Sequence, residues 1–159
     1  MREKNDVFDV YSIGYVKEYK FDSKCNGMKY LEIDEVYRPA LEQLKEFSHL
    51  IVLWWADEND DMTSRDITKG ILPYSDCVEV GIFATRSPFR PNPIALTVCE
   101  ILNIDEDKGT IEVGNIDANN GSPILDLKPY IPVCDRVQDV RVADWVPEDW
   151  REWWVPDED

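Results

Sequence analysis

Short runs rich in Val, Ile and Thr recur along this chain with almost no helical spacing between them. Residues 77–84 (CVEVGIFA), 94–104 (IALTVCEILNI) and 110–116 (TIEVGNI) have this composition, which suits pleated, half-buried strands. Residues 10–16 (VYSIGYV), 29–33 and 50–55 (LIVLWW) add three more, the last apolar throughout, as in a strand buried on both faces. Asp107-Lys108-Gly109 reads as a hairpin turn. One segment has helical spacing: in 38–47, Pro39 suits a first turn, and Ala40, Leu41, Leu44 and Phe47 share a face. The polar stretch DENDDMTSRDITKG is too irregular for an element. About six strands against one helix predict a mostly β fold, a small closed antiparallel barrel with one or two short helices. They argue against a doubly wound sheet.

A chain of 159 residues is one ordinary domain, long enough to bury about 68–70% of its unfolded surface. It holds no repeat and no Gly/Ser linker. Residues 1–143 are expected to form the barrel, and 144–159 a tail belonging to the same domain. That tail carries seven acids and one base. Pro147 followed by Glu148 and Asp149 is a helix-start pattern. Trp150, Trp153 and Trp154 would share a face that either docks on the barrel or a second subunit, or stacks a planar ligand such as adenine.

The formal net charge is −16, a field that repels phosphate backbones and anionic lipids. DNA and membrane are therefore not expected as partners, and RNA only at a local basic patch. The polar N-terminus and the lack of an apolar run near 18 residues predict neither a signal peptide nor a transmembrane helix, hence a cytoplasmic protein. Cys25, Cys77, Cys99 and Cys134 form no CxxC pair, so no metal site is expected. Cys77 and Cys99 read as small buried hydrophobes. His49, alone of its kind, reads as a packed, hydrogen-bonded side chain.

Two segments stand out chemically. Gly81–Val98 (GIFATRSPFRPNPIALTV) contains no acid in a protein with 33, yet it holds Arg86 and Arg90. Pro88, Pro91 and Pro93 forbid a helix and stiffen the loop. It therefore presents two guanidinium forks, suited to carboxylate or phosphate, with little entropy to lose. In Asn115–Pro132 (NIDANNGSPILDLKPYIP), Asp117, Asn119, Asn120, Gly121 and Ser122 make a polar turn between two strands. Asp126 and Lys128 would share one strand face, as a catalytic pair or an ion pair. The GxGxxG, Walker A and GxSxG signatures are absent.

At these residues the chain resembles a known family. FSHLIVLWW, GIFATRSPFRPNPIALTV and NIDANNGSPILDLKPYIP look like the motif blocks of the TsaA-like (TrmO, YaeB, VirR-type) family, from about Ile13 to Asp135. The resemblance implies a β-barrel methyltransferase that binds S-adenosylmethionine as a homodimer. Bacterial members methylate N6-threonylcarbamoyladenosine at position 37 of tRNA. By motif position the cofactor-binding residues would be Arg86, Arg90, Asn92, Ala118, Asn119, Asn120 and Gly121. Lys128 and Tyr130 belong to the same blocks. Asn120 stands where the family usually has Asp, Ala95 where it usually has Gly, and Asp57-Glu58 where tRNA-methylating members carry a His-Gln-like pair. The chain also ends where bacterial members continue into a further domain. Methyl transfer needs positioning and at most one base, for which Asp57, Glu58 and Asp126 are the catalytic candidates. The acceptor is expected to be tRNA or, given the charge, a small molecule. Alternatives are a non-catalytic S-adenosylmethionine sensor and a protein whose acidic tail binds a basic partner.

Overall fold

The computed structural model describes residues 7–19, 28–74 and 78–151. Among them eight strands form: β1 (Gly14–Tyr19), β2 (Met28–Ile33), β3 (His49–Trp55), β4 (Lys69–Ile71), β5 (Glu79–Gly81), β6 (Ile94–Asp105), β7 (Thr110–Val113) and β8 (Pro123–Pro129). Six close into a barrel in the order β1-β2-β7-β6-β3-β8. Every pairing is antiparallel, and β8 returns to β1 through Gly14↔Ile124 and Tyr15↔Pro123. The expected closed β-barrel is borne out.

Alternate residues point inward. Val16, Leu31, Leu50, Val52, Ile111 and Ile124 are fully enclosed, each stabilising the barrel by about 1.5–3 kcal/mol. β6 and β7 meet in the expected turn at 107–109. Gly109 sits there at φ 72°, where a Cβ would lie 2.6 Å from the Arg38 side chain.

Three local expectations are corrected. β3 is not buried on both faces: Leu50, Val52 and Trp54 point inward, while Ile51, Leu53 and Trp55 stay half-exposed. A closed barrel has only one inside. Among the described residues, 78–84 supply no barrel strand. β5 instead pairs with β4 as a separate hairpin, followed by a 3-10 turn at Ile82–Ala84, and β8 takes the sixth place in the barrel. The helix expected over 38–47 is two 3-10 turns, Glu35–Leu41 and Leu44–Glu46, broken at Gln43 with φ 69°. Leu41 is buried and Leu44 packs on the core, but Ala40 and Phe47 remain exposed. Two anchoring residues are too few to hold a full α-helical stripe.

The polar stretch after β3 is more ordered than expected. It forms a 3-10 turn at Asp57–Asn59 and one helical turn, α1 (Met62–Arg65). Capping supplies the order: the Asp61 carboxylate accepts from the Thr63 and Ser64 amides at 2.8 and 3.0 Å and from the Ser64 hydroxyl at 2.5 Å. A second short turn, α2 (Pro132–Asp135), follows β8. In the tail, Trp150 ends a 3-10 turn and its ring centroid lies 4.7 Å from that of Tyr74, next to the β4–β5 hairpin. Trp153, Trp154, Cys25 and Cys77 lie outside the described residues. His49 is hydrogen-bonded, its Nδ1 2.9 Å from the Ser48 hydroxyl.

Candidate functional site

The end of β3, the proline loop before β6 and the loop before β8 meet around a cavity of about 730 Å³, within the usual range for a small-molecule site. The proline loop is braced from both sides. The Ala56 amide donates to the Pro93 carbonyl at 2.8 Å, and Arg65 Nη1 on α1 donates to the Pro91 carbonyl at 3.3 Å. Inside the loop, Thr85 Oγ1 donates to the Ile82 carbonyl and accepts from the Ser87 amide. Arg90 Nη1 donates to the carbonyls of Ser87 (3.2 Å) and Thr85 (3.4 Å). Arg65 is itself held at 2.5 Å by Asp60, which also accepts from the Trp55 indole at 3.0 Å. The Arg65 hydrogen bond holds the Asp60 carboxyl below its ordinary pKa.

The second loop is pinned to β1. The Asn120 side-chain oxygen accepts from the Glu18 amide at 3.0 Å, and the Gly121 amide donates to the Val16 carbonyl at 2.8 Å. Gly121 has φ 96°, the left-handed conformation that its Asn-Gly turn signal foretold.

The sequence-selected residues divide. Asp57, Glu58, Arg86, Arg90, Asn92 and Asn119 line the cavity. Ala118, Asn120 and Gly121 stand behind it: Ala118 is fully buried, and the other two anchor the loop. Asp126 lies elsewhere, on a smaller cavity of about 330 Å³ beneath the 3-10 turns. It pairs with Lys128 at 2.6 Å, a hydrogen bond that lifts the lysine pKa. That is the ion-pair alternative for these two residues.

Sequence reasoning did not single out Trp54, Phe83, Thr85 or Thr97 as cavity residues. Asp117 and Ser122 were signalled by the polar turn. Phe83 leaves a clearer trace in the structure: it is 78% exposed at the cavity, an unusual place for an aromatic ring. Trp54 and Thr97 read as ordinary strand residues, and no sequence signal marks them.

The donor set is mixed. Arg86 and Arg90 offer forks to a carboxylate. Asp57, Glu58 and Asp117 suit a cation or hydroxyl donors. Phe83, Pro88 and Leu96 give apolar walls for a planar ring. This is the chemistry of S-adenosylmethionine, which joins a carboxylate, a sulfonium, a ribose diol and an adenine. Among the described residues no group of three or more His, Cys, Asp and Glu is placed to hold a metal ion.

Residues 22–136 match the tRNA-methyltransferase O N-terminal domain family. The chain belongs to that family. The resemblance carried by the motif blocks is thereby borne out. Among the family's proteins, a "Probable S-adenosyl-L-methionine-binding protein" of Methanocaldococcus jannaschii is 41% identical over 123 residues, covering 76% of this chain and 95% of that one. The tRNA (adenine(37)-N6)-methyltransferase of Homo sapiens is 36% identical over 101 residues, 64% of this chain and 22% of that protein. A crystal structure of TrmO from Pseudomonas aeruginosa matches with a TM-score of 0.67 at 25% identity, over 90% of this chain and 63% of that one. The chain thus spans less than two thirds of the solved TrmO and 30% of a relative from Archaeoglobus fulgidus.

Proposed function

We propose that this chain is an S-adenosylmethionine-dependent methyltransferase whose acceptor is an adenine of tRNA. One observation carries the reading: the arginine loop and the Asn115–Ser122 loop, distant in sequence, converge on a single cavity whose donor set fits the cofactor. The family membership and the names its relatives carry support it.

Bound there, S-adenosylmethionine supplies an electrophilic methyl group. Arg86, whose guanidinium is exposed and makes no bond to protein among the described residues, holds the carboxylate. Arg90 holds the loop as well as the ligand. Asn92 and Asn119 add polar contacts, and Asp117 accepts from the ribose hydroxyls. Phe83 offers its ring to the acceptor base. A carboxylate oxygen of Asp57 or Glu58, both at the exposed cavity wall, takes the proton that the acceptor nitrogen loses. Asp126, tied to Lys128 away from the cavity, has no part.

The working form is a homodimer in the cytoplasm. Ile51, Leu53 and Trp55 on β3 pair in register with Val98, Leu96 and Ile94 on β6. Paired residues share a face, so the barrel presents six outward apolar side chains side by side, the surface a second copy would cover up to the cavity rim formed by Ile94 and Leu96. Residues 144–159 belong to the same domain, and the Trp150–Tyr74 contact supports this. Among the described residues no helix is long and apolar enough to cross a membrane.

The test is calorimetry with S-adenosylmethionine and with S-adenosylhomocysteine in the presence of a chelator. Micromolar or tighter binding of one ligand per chain is expected. No heat and no thermal shift with either ligand would overturn the reading.

A further inference from the structure

The half-buried ammonium of Lys29 is bound outside any strand ladder. It lies on β2, level with Val113, the last residue of β7, where the chain leaves the barrel for the loop. There Lys29 Nζ donates to two carbonyls, Ile116 at 2.7 Å and Ala118 at 2.9 Å. Residues 115–119 belong to no strand, so these carbonyls lack the partners that a sheet would give them. We infer that Lys29 is a positioning residue for the ligand, acting through Asp117. The inference rests on the cofactor reading above.

The geometry gives the reason. Bridging the Ile116 and Ala118 carbonyls holds the chain before and after Asp117, and the side chains of this stretch alternate between two sides. Ile116 and Ala118 accordingly point into the core, 5% and 0% exposed. Asp117 and Asn119 face the cavity. Without the ammonium no described bond holds the Ile116 carbonyl before Asp117 or the Ala118 carbonyl after it. Its carboxylate would then sample orientations away from the ligand. The Asn120 and Gly121 anchors act on the far end of the loop and leave this stretch untouched.

The experiment compares Lys29→Met, Lys29→Arg, Asp117→Asn and the Met/Asn double variant, with Val52→Ala as a core variant outside the loop and the cavity lining. Binding of S-adenosylhomocysteine is read by calorimetry and loop order by amide hydrogen exchange. Lys29→Met should weaken binding about tenfold, the usual worth of a charge-assisted hydrogen bond. It should also raise exchange at 115–119 while the β3 and β6 amides stay protected. Lys29→Arg should recover most of the affinity, because a guanidinium still reaches two carbonyls. The double variant should bind no more than about twofold weaker than Asp117→Asn alone, since both changes remove one interaction. Val52→Ala should lower stability and leave affinity unchanged. Independent losses in the double variant, or wild-type affinity and exchange in Lys29→Met, would overturn the proposal. If the wild-type protein takes up no ligand, the cofactor reading falls, and exchange at 115–119 alone decides the role of Lys29 in holding the loop. Should Lys29→Met fail to fold, Lys29→Gln, which can donate to one of the two carbonyls, is read in the same way.

Discussion

The indole N–H of Trp54 donates to the hydroxyl of Thr97 at 3.1 Å, joining β3 to β6 at the cavity wall. Trp54 is only 9% exposed, so its N–H has little access to water. Thr97→Val keeps the shape but strands that donor, and the expected cost is about 1–3 kcal/mol in urea unfolding. Adding Trp54→Phe removes the stranded group and should restore much of the loss. Equal stability in wild type and Thr97→Val would show that the indole finds another partner.

The two arginines should separate binding from stability. Arg86→Ala should weaken cofactor binding by about 1.5–3 kcal/mol with an unchanged melting temperature, because this guanidinium braces nothing among the described residues. Arg90→Ala should lose both affinity and melting temperature, since it also ties Ser87 and Thr85. Arg90→Lys should recover only part. Identical behaviour of the two alanine variants would contradict the assignment.

Cys99 and Cys134 should react very differently. Burial pushes the Cys99 thiol up to about 12, with the charge of Asp117 adding to the rise, whereas Cys134 is exposed. A raised folded-state value means the thiol contributes full stability below its unfolded pKa near 9. That contribution drains away as the pH climbs towards 12. Peptide mapping after iodoacetamide at neutral pH should find Cys134 labelled and Cys99 spared until the barrel unfolds. Labelling of both at one rate would mean that the barrel opens at β6.

The outward faces of β3 and β6 should decide oligomeric state. Light scattering of the wild type should give twice the 18.5 kDa chain mass. Ile51→Glu or Val98→Glu, placed opposite one another in the ladder, should give folded single chains. Neither position lines the cavity. A monomeric wild type at micromolar concentration would remove the dimer.

The barrel was legible because several of its strands are rich in Val, Ile and Thr, and Gly109 marked its hairpin. The exchange of 77–84 for 123–129 was not. Composition shows that CVEVGIFA suits a strand, but only tertiary pairing decides which sheet takes it. The arginine loop was legible from its missing acids and three prolines, and six of the selected residues do reach one cavity. Asp126 did not reach it, because a motif block can straddle a loop and a strand that face different cavities. Trp54 and Thr97 became visible only once β3, β6 and the loop after β7 were side by side. The bridge from Lys29 spans 87 residues to Ile116, a pairing that no local pattern encodes. The helical stretch failed for a related reason: spacing marked four apolar positions, but the barrel has room to anchor only Leu41 and Leu44.

Methyl transfer itself tests the central claim most directly. With 33 acids against 17 bases, the isolated protein should hold free tRNA weakly at about 150 mM salt, where fields decay over about 8 Å. The assay therefore runs at low salt, with the full chain, labelled S-adenosylmethionine, and tRNA both unmodified and threonylcarbamoylated at adenosine. Nucleosides are then read by mass spectrometry. The account predicts a methyl group gained by one adenosine species in proportion to enzyme, and lost in Arg86→Ala. Cofactor bound in the cavity with no methyl group in either tRNA would contradict it.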